Sequence, residues 1–80
     1  MNSVETYIKL LKKRGFEVSK VSEDEVIFER GEDRITIKKV RYPTGGEYFR
    51  LTVYKKGLEI VKDFKLLTDA LMEAYYKHSS

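Results

Sequence analysis

Residues 25–60 read EVIFERGEDRITIKKVRYPTGGEYFRLTVYKKGLEI, and the alternation inside this stretch decides the fold. Apolar residues recur at every second position, as in strands with one buried face, and the runs are broken at Gly31-Glu32, Tyr42 to Gly46 and Lys56-Gly57. Three antiparallel hairpins follow. Their registers can be tested by parity, because a one-residue slip would put apolar residues opposite charged ones. Turning at Gly31-Glu32 sets Phe28 opposite Ile35 and Val26 opposite Ile37, while Glu29 meets Arg34 on the other face. A five-residue loop at Tyr42 to Gly46 sets Ile37 opposite Leu51 and Ile35 opposite Val53, and the Lys56-Gly57 turn places Val53 by Ile60. One face therefore collects Val26, Phe28, Ile35, Ile37, Phe49, Leu51, Val53, Leu58 and Ile60 as the expected core.

Outward from this stretch, the spacing predicts strands near 16–21, 25–30, 33–41, 47–55 and 58–62 in a meander. The first of these fits only with a bulge, since Phe16, Val18 and Val21 cannot otherwise share a face. On the N-terminal side Val4, Tyr7, Ile8 and Leu11 recur at helical spacing over 3–14. Asn2 and Glu5 have the spacing of a capping pair, Gly15 can close the helix, and Lys12, Lys13 and Arg14 suit the negative end of its dipole. After Phe64 the helical period returns in Leu67, Ala70, Leu71, Ala74 and Tyr75, followed by a polar stretch, Lys77 to Ser80, expected to fray. Both helices need an apolar surface and only the sheet offers one. The expected class is α+β: a two-layer sandwich in one domain over residues 1–80, with a meander of four to five strands and both helices on one face.

Eighty residues bury one small core. There is no cysteine, so disulfide and thiolate chemistry are excluded. No apolar run is long enough for a membrane span and no leader pattern opens the chain, which makes a cytoplasmic location the expectation. The absence of Gln and Cys, a single Asn and 36% charged residues form a bias associated with hot environments.

Catalysis has little to work with. His78 is the only histidine and has no sequence neighbour placed to orient it as a base. Carboxylates gather in turns, at Glu23 to Glu25 and Glu32-Asp33, without the alternation of a calcium loop or the convergence a metal site requires. Asp24 followed by a strand reaching Lys38 is similar to part of the PD-(D/E)xK nucleases, but Thr36 stands where the second acid would be. The opening helix and Gly15-Phe16 are similar to the start of messenger-RNA interferases, without their Gly-Ser-His, and the helix–meander–helix order is similar to double-stranded-RNA-binding domains, without a basic start to the second helix beyond Lys65. The reading is a non-enzyme with no cofactor, no metal, no small-molecule substrate and no membrane partner.

Charge is unevenly distributed. Residues 1–33 carry six basic and eight acidic side chains, residues 34–56 seven and one, and residues 57–80 three and four. The excess sits on the third and fourth strands, whose outward faces pair Arg34 with Tyr54, Thr36 with Thr52, Lys38 with Arg50 and Val40 with Tyr48. Lys38 opposite Arg50 costs stability unless an anion or an acidic neighbour relieves it. Cations interleaved with rings suit single-stranded nucleic acid, phosphates tracking the cations and bases stacking on the rings. The expected nucleic-acid-binding strip is Arg34, Lys38, Tyr48, Arg50 and Tyr54. The alternative is a protein-interaction or homodimer surface on the same uncovered face, through Val40, Tyr48, Tyr54, Ile27 and Val61.

Overall fold

The computed structural model describes residues 3–80. Helix α1 (Ser3–Lys13) is followed by strands β1 (Glu17–Val21), β2 (Glu25–Arg30), β3 (Asp33–Arg41), β4 (Glu47–Lys55) and β5 (Leu58–Phe64), then helix α2 (Leu67–His78). The strands form one open antiparallel sheet in sequence order, β1-β2-β3-β4-β5. Asn2, half of the expected capping pair, lies outside the described residues.

Each predicted hairpin register is observed: Phe28 pairs Ile35, Ile37 pairs Leu51 and Val53 pairs Ile60. The expected bulge is also present. The β1–β2 register shifts between Val18 and Lys20, which lets Val18 pair with Phe28 and Val21 with Val26 on one face. The Lys56-Gly57 turn holds both residues at positive φ (53° and 78°), the two-residue geometry whose twist matches antiparallel strands.

Both helices lie on the same face of the sheet. α2 crosses β3 and β4 and touches β5, while α1 packs on α2 and β1. Between the layers Leu11, Phe28, Ile35, Ile37, Leu51 and Leu71 are fully buried, and Ala70 and Ala74 let α2 come close to the strands. Phe16, expected to begin the first strand, instead fills the corner after α1, where its N–H returns to the Leu11 carbonyl at 3.2 Å. Gly15 makes that corner with φ +94°, and a Cβ added there would stand 3.3 Å from the Arg30 side chain.

Three further expectations are corrected. β5 runs two residues beyond 62, because Phe64 pairs with Phe49 and Asp63 with Arg50. Leu58 and Ile60 are on the helix side as expected but are not core: they are 70% and 50% exposed, since the helices do not extend over that end of β5. The residues after Lys77 are also held rather than frayed. Arg30 donates to the Arg14 and Ser79 carbonyls, each at 2.8 Å, and its guanidinium covers the Phe16 ring at 4.3 Å. Lys55 donates to the Ser80 carbonyl at 3.0 Å, and the buried Ser79 hydroxyl donates to the Tyr75 carbonyl.

Candidate functional site: the open face of the sheet

The face opposite the helices is built by alternate residues of β2 to β5, and the registers arrange them in rows across the strands. One row is Glu29, Arg34, Tyr54, Glu59; the next is Ile27, Thr36, Thr52, Val61; the third is Glu25, Lys38, Arg50, Asp63. Val40 and Tyr48 lie beyond the third. All five residues of the expected strip are therefore brought to one surface. Arg34, Lys38, Arg50 and Tyr54 are exposed, whereas Tyr48 is half-buried against Tyr42, their ring centres 4.9 Å apart.

The cations of this strip arrive with partners. Arg34 pairs with Glu29 at 3.3 Å, and Arg50 grips Asp63 with two donors, Nε at 3.0 Å and Nη2 at 3.3 Å. The same Nη2 donates to the Tyr48 hydroxyl at 3.1 Å. Lys38, opposite Arg50 on one side, has Glu25 as its partner residue on the other, and Glu25 also accepts a 2.9 Å hydrogen bond from Lys20. The Lys20 hydrogen bond, supported by the charges of Lys20, Lys38 and Arg34, holds the Glu25 carboxyl below its ordinary range, and the Asp63 carboxylate raises Arg50 further. The like-charge opposition of Lys38 and Arg50 is thus relieved from both flanks. Exposed pairs of this kind are screened by solvent and add little net stability.

These pairs change the electrostatics expected from the sequence. Of the seven basic residues in 34–56, only Arg34, Lys38 and Arg50 lie on the open face. Lys39 and Arg41 fall on the other side beside Asp24 and Glu47, Lys55 reaches the Ser80 carbonyl, and Lys56 forms the turn. Against those three cations and Lys20 of β1, the flanking strands bring five carboxylates: Glu17, Glu25, Glu29, Glu59 and Asp63. The strongly basic segment does not become a basic surface. Sequence reasoning found the Glu29–Arg34 pair from the turn but missed Asp63, which lay outside the expected fifth strand.

A shallow depression between the first two rows is bordered by Glu29, Arg34, Thr36, Thr52, Tyr54 and Glu59. His78 is elsewhere, half-buried at the end of α2, where burial pushes its pKa down against the pull of Glu73. Among the described residues no group of three His, Cys, Asp or Glu side chains could hold a metal ion, and no helix is long and apolar enough to cross a membrane. Searches against family models, curated proteins and solved structures return no match for this chain.

Proposed function

We propose that this chain is a non-enzymatic binding module that docks another protein on the open face of its sheet. The observation that carries this reading is the uncharged row Ile27, Thr36, Thr52, Val61, which crosses four strands between rows whose charges are largely balanced within the face. Protein interfaces have this anatomy: a core depleted in charge, a polar rim, and aromatic anchors such as Tyr48 and Tyr54. The fitting partner is a flat polypeptide surface with an uncharged stripe over that row and a polar rim of mixed charge over the two flanking rows.

Two competing readings are weaker on the same geometry. Nucleic acid needs a net positive track, and here each basic row ends in carboxylates on β2 and β5. A second copy stacked face to face with aligned strands superposes like on like: one two-fold sets Lys38 over Arg50 and Glu25 over Asp63, the other sets Lys38 over Arg34 and Glu25 over Glu29.

A photo-crosslinking phenylalanine at Thr52, with a control at Lys9, exposed on α1, tests the proposal in extract of the parent organism. The expected result is one discrete protein adduct from Thr52, none from Lys9, and loss of the adduct when Thr36→Glu is added. No discrete adduct from Thr52 overturns the proposal. So does tight binding of a single-stranded oligonucleotide that weakens steeply with salt and is lost in Lys38→Ala and Arg50→Ala, which would restore the nucleic-acid reading.

A further inference from the structure

The open sheet has two edges, and they are built differently. β1 is five residues long, interrupted by the bulge before Lys20, and carries that lysine's ion pair with Glu25. Bulges and edge lysines are devices that discourage another strand from pairing. β5 also carries a lysine, Lys62, held by Glu73 on the helix side, but no bulge interrupts it. All seven residues from Leu58 to Phe64 pair with β4 in unbroken register, and apolar side chains are exposed on both faces: Leu58 and Ile60 on the helix side, and Val61, 52% exposed, on the open side.

The free side of β5 can be specified. A two-residue turn makes Lys55 and Leu58 a hydrogen-bonded pair, and bonding then alternates along the ladder. Leu58, Ile60, Lys62 and Phe64 therefore bond to β4, while Glu59, Val61 and Asp63 turn their backbone N–H and C=O groups outward.

We infer that β5 is a homodimer edge, joining antiparallel to β5 of a second copy to make a continuous ten-stranded sheet. In a two-fold pairing, opposed residues share a face, so the axis passes through one residue of the strand. Centring on Glu59, Val61 or Lys62 opposes Glu59 to itself, Glu59 to Asp63 or Lys62 to itself. Centring on Ile60 opposes no like charges: Ile60 meets its own counterpart at the close, non-hydrogen-bonded spacing, Glu59 meets Val61 and Leu58 meets Lys62. This register carries Leu58 of the second copy toward the groove beside Phe64, Met72 and Tyr76, and covers the apolar end of the sheet that the helices leave bare.

The interface shares Val61 with the docking row but is made by the backbone edge of β5 and not by the open face, and sedimentation velocity over a concentration series tests it. The wild-type mass is expected to rise from 9.4 kDa toward twice that value. Val61→Pro removes an outward donor without touching the ladder to β4, and Ile60→Lys brings two like charges together on the axis; each should weaken the dimer by at least about tenfold. Both variants should still unfold cooperatively, and Thr36→Glu on the open face should leave the dimer unchanged. A wild-type chain that stays monomeric throughout overturns the inference, as does a dimer that withstands a folded Val61→Pro or Ile60→Lys. Dimer loss in Thr36→Glu alone would move the interface to the open face.

Discussion

β4 and β5 are adjacent strands, and Leu51 and Val53 of one point to the same side as Leu58 and Ile60 of the other, yet their fates differ. Leu51 and Val53 are 1% and 2% exposed, whereas Leu58 and Ile60, the latter paired directly with Val53, are largely in solvent. The difference lies in the layer above. α2 runs over β3 and β4 and meets β5 toward its far end, where Lys62 pairs with Glu73 at 3.3 Å. Period-two alternation specifies the side a residue faces; what lies over that side specifies whether it is buried.

The sharpest way to break this comparison is a matched pair of truncations. Leu51→Ala should cost about 2 to 5 kcal/mol, as deletion of a fully buried leucine does. Leu58→Ala, measured by denaturant unfolding at a concentration where the chain is monomeric, should stay within about 0.5 kcal/mol. Similar costs at the two sites would mean that the helix layer covers β5 in solution.

Arg30 sets where the cover begins at the opposite side of the sheet, through carbonyls at the ends of both helices and the face of Phe16. Arg30→Ala strips these acceptors of a charged donor and should cost about 1 to 3 kcal/mol. Arg50→Ala, which removes an exposed pair with Asp63 and a hydrogen bond to Tyr48 on the other face, should cost clearly less. If the two variants unfold alike, Arg30 is a surface charge and not a clasp between the layers.

The smallest expected effect is one of pH and concerns the tie between α2 and β5. Burial acts to raise the Glu73 pKa, but the Lys62 hydrogen bond and the charges of Lys62 and Lys77 outweigh it and hold the carboxyl below its ordinary 4.5. Its contribution is therefore complete above that value and lost as pH falls through the lowered folded value. His78 is also lowered, chiefly by burial, so the unfolded chain takes up its proton first and stability begins to decline just below 6.5. Melting temperatures across this range should show both steps, with Glu73→Gln shrinking the more acidic one, which Glu25 shares, and His78→Gln removing the less acidic one. Unchanged profiles in both variants would show that neither group gains or loses interactions on folding.

Much of the sheet was legible because hairpins are local: parity and turn length specify Phe28 against Ile35 and Val53 against Ile60 without knowledge of the rest of the chain. The bulge in β1 was legible from Phe16, Val18 and Val21, although Phe16 itself left the strand for the corner after α1. The candidate face was legible in its membership but not in its charge. Arg34 could be matched to Glu29 across a short turn, but Asp63 resembled the start of a loop and its grip on Arg50 depended on where β5 ended. Arg30 was overlooked because backbone carbonyls do the accepting, and those carry no sequence signal.

Alternation and turn chemistry by themselves determined the order of elements, the registers and the side each residue faces, since these follow from contacts between residues close in the chain. Only the tertiary structure decided how far the helices reach across the sheet, which cations meet carboxylates, and which edge is left long and regular. Those outcomes depend on distant segments meeting in space, and exposure at Leu58 or neutralisation at Arg50 belongs to the neighbours as much as to the residue itself.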